Sequence, residues 1–225
     1  MTHGHGHGHG HGGDAADQAR LLSQEYWDER YGGEQVWSGN PNPLLVRYVA
    51  DVTPGTALDV GSGEGADVLW LATHGWTVTG MDISEVALRR SAELVERAAP
   101  ELADRITWQQ ADVLTWTPGQ ARFDLVSAQF MHLVGPERES LHRRLAAAVR
   151  PGGILLVVGH HPADMEIESL QRPHLPDRFA TAEQMAVVLD PAEWDIETTA
   201  LEREAKDPDG NTVRVRDAVL RGVRR

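Results

Sequence analysis

The stretch at residues 56–84, TALDVGSGEGADVLWLATHGWTVTGMDIS, restricts the fold more than any other part of the chain. A short apolar run, TALDV, is followed by Gly61, Gly63 and Gly65, and then by a helix-like stripe of Ala66, Leu69, Trp70 and Thr73. A second strand-like run, WTVTGMD, closes the unit on Asp82. Strand, glycine loop, helix and strand in this order make a βαβ unit with a right-handed crossover. In open sheets built from such units, ligands sit beyond the carboxyl ends of the strands, where the glycine loop falls. The glycines let the backbone turn sharply and aim amide N–H groups at a ligand from a helix N-terminus.

The alternation continues downstream. Ser84 is placed to cap a helix running to about Ala99, which Pro100 ends. RITWQQAD and RFDLVSAQ are expected strands, and Leu141, Leu145, Ala148 and Val149 line one face of a helix that RPGG stops. GILLVVGHH is apolar enough for a strand covered on both faces. Thr181 and Gln184 form a capping box, and KDPDGN joins two final strands at about 194–202 and 213–223 as a hairpin. The expectation is an α/β fold with an open, mostly parallel sheet that ends in an antiparallel hairpin. Upstream, a polar helix is expected over residues 14–31 and a short one over 43–51, separated by the Gly- and Pro-rich YGGEQVWSGNPNP.

The two acids narrow the ligand. Gly61, Gly63 and Ala66 fit the G-x-G-x-x-G/A pattern of dinucleotide sites, so an NAD(P)-dependent oxidoreductase is one reading. Asp59 opposes it, because a carboxylate two residues before Gly61 adds negative charge beside a pyrophosphate. It suits a cationic ammonium instead. Asp82, at the end of the second strand, can accept hydrogen bonds from both ribose hydroxyls. Asp112, after the third strand, can accept from an adenine amino group, with Ile83 and Val113 flanking the ring. An ammonium, a ribose and an adenine without phosphate describe S-adenosylmethionine.

On these residues the chain resembles the class I S-adenosylmethionine-dependent methyltransferases. LDVGSGEG, VTGMDIS, ADV, FDLVSAQ and RPGGILLVV stand in that family's order and spacing over about residues 56–158. The resemblance implies a Rossmann-like, seven-stranded sheet in the order 3-2-1-4-5-7-6. It implies that Asp59 lies near the methionyl amino group and that Gly61, Ser62 and Gly63 line the cofactor. Asp82 would hold the ribose, and Asp112 with Val113 the adenine. Upstream, YWDERYGGEQVWSGNPNPLL is similar to the segment before the first strand in the thiopurine and tellurite-resistance methyltransferases, which implies that Trp37, and also Trp27, close the methionine end. Where thiopurine methyltransferases carry an arginine after the fourth strand, this chain has Gln129, which argues against an anionic thiopurine-like acceptor and leaves Gln129 beside the cofactor.

The division expected is a His-Gly tail at 1–13, a helical cap over the cofactor at 14–55 and the methyltransferase domain at 56–225. The tail, natural or added for purification, offers a non-enzymatic reading as a metal-binding protein. The domain itself needs no metal. A methyl acceptor bearing oxygen or nitrogen often needs a base, and His132, His160 and His161 follow the fourth and fifth strands; a soft thiol or chalcogen nucleophile needs little beyond alignment.

The formal net charge is −13, with no charged Asp, Glu, Lys or Arg in the first thirteen residues, so nucleic acid is disfavoured and a small-molecule acceptor favoured. There is no cysteine, which removes disulfides and thiolate sites. Lys206 is the single lysine, which excludes a Walker-type loop. The longest purely apolar run, residues 154–158, is too short to span a bilayer. A cytoplasmic protein without a membrane partner is expected, its oligomeric state unspecified.

Overall fold

The computed structural model describes residues 19–131, 133–170 and 177–225. The His-Gly tail, the expected helix start at 14–18 and His132 lie outside the described residues.

Seven strands form one sheet: β1 (Thr56–Val60), β2 (Thr77–Asp82), β3 (Ile106–Gln110), β4 (Phe123–Gln129), β5 (Val149–His160), β6 (Trp194–Lys206) and β7 (Thr212–Arg224). Their order is β3-β2-β1-β4-β5-β7-β6, as expected. The first five are parallel, and β7 runs antiparallel between β5 and β6. The β6–β7 turn forms at KDPDGN, where Gly210 takes a left-handed φ of 85°.

The helices are α1 (Gln24–Gly32), α2 (Pro43–Val49), α3 (Ala66–Thr73), α4 (Glu85–Ala98), α5 (Gly135–Ala148) and α6 (Ala182–Ala186). Ser84 caps α4 by accepting from the Ala87 N–H, and the Thr181–Gln184 capping box opens α6. The single helix expected over 14–31 is interrupted. A helical turn ends at Leu21, and α1 begins at Gln24 because the Ser23 hydroxyl accepts from the Tyr26 N–H.

Strand side chains alternate between faces, so each face has its own core. Leu58, Val60, Val126, Leu155 and Leu220 meet Leu141 and Leu145 of α5 and Met185 of α6. Ala57, Val78, Leu125, Leu156 and Val158 meet Leu45 and Val49 of α2 and Leu71 of α3. The stripe expected on α3 is rotated: Val68, Leu71 and Ala72 are its buried residues, and Thr73 is exposed. The helix turns Asp67 toward the sheet end, and this moves its apolar face.

Candidate cofactor and acceptor site

The period of two that buries Ala57 also turns Asp59 to the same face of β1. Asp59 stands beside Ser127 in the parallel register of β1 and β4. Asp59 is 3% exposed, and burial pushes its carboxyl well above the usual carboxylate range. The charges of Asp67 and Asp82 push it further up, and the Ser127 hydroxyl, bonded to it, pulls down. Asp67, in the first turn of α3, accepts from the Asn42 N–H at 2.6 Å and from Gln129 Nε2 at 3.2 Å. Burial raises its carboxyl to about 6, against the Asn42 hydrogen bond. Asp82 accepts from the N–H groups of Gly63 at 2.8 Å and Ser84 at 2.9 Å. Burial raises its carboxyl too, with those two N–H groups opposing. Three buried carboxylates thus converge beneath the glycine loop.

The loop is held close to its neighbours. Gly61 has φ +72°, and a Cβ there would lie 2.5 Å from Met131 Sδ. Gly63 has φ +52°, and a Cβ would meet the Tyr31 hydroxyl at 3.0 Å and Trp37 Nε1 at 3.3 Å. Only glycine satisfies both conditions at either position. Ser62 Oγ is buried without a hydrogen-bond partner, a polar group aimed at nothing in the protein.

The upstream segment is strapped onto this loop. Glu64 accepts from the N–H groups of Val36 at 3.1 Å and Trp37 at 3.0 Å, and pairs with Arg90 at 3.0 Å. Arg90 in turn donates to the Gly33 carbonyl. Trp37 is half exposed, and its Nε1 donates to the Tyr31 hydroxyl at 2.9 Å. Burial first, then the Asp82 charge, holds the Tyr31 phenol protonated far above its ordinary range. Trp27 stacks on Tyr31 and donates to the Leu21 carbonyl, so it packs within the upstream segment. The Arg30 guanidinium lies about 6 Å from the ring centroids of both Trp27 and Trp37. From the other side of α1, Asp28 accepts from the Ser84 hydroxyl at 2.6 Å, which ties the helix to the start of α4.

A cleft of about 410 Å³ opens at the ends of β2 and β3, lined by Leu22, Ser23, Gln24, Ile83, Gln110, Ala111 and Asp112. Ile83 and Asp112 therefore share a wall, as the sequence suggests. Val113 does not line this cleft: its side chain is buried in the core against α5, and Ala111 takes that wall. Asp112 Oδ1 accepts from the Leu114 N–H at 2.8 Å.

On the β4 and β5 side, Gln129 Oε1 is buried without a partner, while its Nε2 reaches Asp67 and Ser127. Phe130 is held at a left-handed φ of 53°, uncommon for a bulky residue and a mark of local strain. His160 lies between the rings of Phe130, at 4.6 Å, and Phe179, at 5.2 Å. Its Nδ1 is 3.9 Å from the buried Asp217, which Arg203 also grips at 2.6 Å. His161 is committed elsewhere: its Nδ1 accepts from the Ala163 N–H and caps a short 3-10 turn, Pro162–Glu166.

Sequence reasoning passed over Asp67, Glu64, Tyr31, Asp28 and Ser127. Ser127 carried a signal, a polar residue inside an otherwise apolar strand. Asp67 looked like an ordinary first-turn acid.

This is the fold of S-adenosylmethionine-dependent methyltransferases of known structure, and the glycine loop with Asp59 and Asp82 falls within the stretch that matches a methyltransferase domain. The methyltransferase domain family matches residues 57–153. Among curated relatives, the ribosomal RNA small subunit methyltransferase C of Alcanivorax borkumensis is 35% identical over 112 residues, covering 48% of this chain and 33% of that protein. The thiopurine S-methyltransferase of Gluconobacter oxydans is 34% identical over 70 residues, 29% of this chain and 32% of that one. The chain spans about a third of the length of these two relatives. The N-methyltransferase NodS of Bradyrhizobium japonicum, solved with S-adenosyl-L-homocysteine, shares the fold at a TM-score of 0.66 and 17% identity, over 89% of this chain and 97% of that one.

Proposed function

We propose that this protein methylates a small molecule, with S-adenosylmethionine as methyl donor. The observation that carries this reading is the convergence of Asp59, Asp67 and Asp82 under a glycine loop. That arrangement repels a pyrophosphate and attracts an ammonium and a sulfonium. The orphan Ser62 hydroxyl fits a ligand lying against the loop.

When bound, the cofactor supplies an electrophilic methyl group on a positively charged sulfur. The protein's own contribution is binding, alignment and exclusion of water. Asp59 faces the methionyl ammonium, with Gly61, Ser62, Gly63 and Gln129 along that end. Arg30 and Trp37 stand toward the methionyl carboxylate. Asp82 uses two acceptor directions on Gly63 and Ser84, which leaves others for ribose hydroxyls. Ile83, Ala111 and Asp112 receive the adenine, and residues 19–55 form the cap over it. His160, with Asp217 behind it, is the histidine placed to take a proton from an acceptor. A soft thiol or chalcogen nucleophile fits a site with so little further machinery, and the thiopurine S-methyltransferase relative supports that choice. The net charge of −13 speaks against ribosomal RNA as acceptor and favours a small molecule. Among the described residues no helix is long and apolar enough to cross a membrane, and a cytoplasmic location fits this reading.

Titration calorimetry with S-adenosylhomocysteine and with NAD tests the cofactor. Tight NAD binding without nucleoside binding overturns the reading in favour of an oxidoreductase. A transfer screen with labelled cofactor against thiols, selenite, tellurite, halides and phenols then identifies the acceptor.

A further inference from the structure

A guanidinium with two unmet donors, among the described residues, stands near the carboxyl ends of β4 and β5. Arg178 is half-buried, and its Nε and Nη1 are both shielded from solvent with no hydrogen-bond partner. A guanidinium stays charged, and burying its donors unmet costs more than leaving them in water. Burial also lowers its pKa, as expected for a cation that lacks a counter-charge, and the Tyr26 phenol of α1 opposes this shift.

The position of Arg178 follows from its neighbours. Arg138, at the start of α5, donates through Nη1 to the Asp177 carbonyl at 2.8 Å and to the Leu133 carbonyl at 3.4 Å. Those bonds fix the backbone one residue before Arg178. Leu133 N–H donates to the Met131 carbonyl, and Met131 Sδ rests on Gly61. One residue after Arg178, Phe179 packs edge-on against His160. Arg178 therefore lies between Tyr26 of the upstream helix and the carboxyl ends of β4 and β5. Arg30 stands apart, between Trp27 and Trp37 at the Gly63 end.

We propose that Arg178 binds a carboxylate of the methyl acceptor, so that the substrate class is a small aromatic acid taken as its monoanion. This rests on the methyltransferase reading. The carboxylate supplies the acceptors that Nε and Nη1 lack and makes charge-assisted hydrogen bonds. Phe130 and Phe179, packed on either side of His160, are the aromatic surface that the body of such a molecule would meet. A monoanion suits the place better than a phosphate, because Asp59, Asp67 and Asp82 already load this end of the sheet with negative charge. Gln129 replaces the arginine after β4, and Arg178 brings a cation from a different element.

The test is calorimetry on full-length protein saturated with S-adenosylhomocysteine, titrated with benzoate, its neutral isostere benzamide and inorganic phosphate. Benzoate is expected to bind at least about tenfold tighter than benzamide, the scale of one charge-assisted contact. Arg178→Gln should bring that ratio to within about twofold, and Arg178→Lys should retain part of it. If the Gln variant does not fold, the Lys variant decides, since it must weaken benzoate relative to benzamide. Equal binding of benzoate and benzamide, or phosphate binding as tightly as benzoate, overturns the assignment. So does a loss of about tenfold or more in nucleoside affinity on Arg178→Gln, because Arg178 would then serve the cofactor's own carboxylate. Wild-type protein that fails to bind S-adenosylhomocysteine at all refutes the methyltransferase reading first, and this inference falls with it.

Discussion

Asp67→Asn separates the cost of the acidic cluster from its use. In the native protein the Asp67 carboxyl rises from 3.8 to about 6 because it is buried. Between those two values the folded chain holds a proton that the unfolded chain has released. Stability therefore falls as pH rises through that window, and the penalty is complete above it. At about 1.4 kcal/mol per pH unit, the ionised carboxylate costs about 3 kcal/mol at pH 8. Asparagine keeps a carbonyl for the Asn42 N–H. Its amide faces Gln129, whose unpartnered Oε1 can turn to accept from it. The variant should therefore be more stable than wild type at pH 8 by about 1–3 kcal/mol, a rise in Tm of roughly 3–9 °C for a domain of this size. The gain should shrink as pH falls through that window and vanish only below about pH 3, where the carboxyl is protonated in both states. On the proposed reading, the same change also removes a carboxylate that faces the cationic cofactor. At an effective dielectric of about 20 and a distance on the order of 10 Å, S-adenosylmethionine binding should weaken by about 1–2 kcal/mol. Thermal unfolding at pH 8 and pH 4.5, with calorimetry of cofactor binding at pH 8, measures both effects. A variant no more stable than wild type at pH 8, or one with undiminished cofactor affinity, would refute the view that this carboxylate is held at a cost for a cationic ligand.

Asp82→Ala should weaken S-adenosylhomocysteine binding by about 1–3 kcal/mol, and unchanged affinity by calorimetry would show that Asp82 does not hold the ribose. Ser84→Ala removes both the α4 cap and the donor to Asp28, and should cost about 1–2 kcal/mol in urea unfolding; no change would mean that α1 is held by other contacts. His142 is driven down to about 4 by burial, so the folded state favours its neutral form. Its contribution is complete above about pH 6.5 and is lost as pH falls toward 4, about 3 kcal/mol in all. His142→Leu should flatten the acid limb of the stability profile, and an identical slope would contradict this. Deleting residues 1–13 should leave methyl transfer intact; loss of turnover would favour a role for the His-Gly tail.

The mostly parallel sheet with its closing hairpin, the place of the glycine loop and the two acids at the ends of β1 and β2 were legible because each rests on local pattern, while the strand order came with the family resemblance. Alternating strands and helices mark right-handed βαβ units, glycines mark the sharp turn, and each acid closes an apolar run. The caps at Ser84 and Thr181 were legible for the same reason, since a cap and its helix lie within four residues. The break before α1 was not, because Ser23 as a cap competes with a polar helix that could have continued through it.

The sequence alone determined a mostly parallel sheet ending in a hairpin, with a glycine loop and acids at its carboxyl edge. Only the tertiary structure decided that Asp67 joins Asp59, that Glu64 straps Trp37 over Gly63, that Val113 turns into the core, and that Nε and Nη1 of Arg178 find no hydrogen-bond partner among the described residues. Those contacts join residues on separate elements, such as Asp67 and Gln129, which stand 62 positions apart. Periodicity says which face a side chain takes, but not which neighbour the packing of another element brings to it.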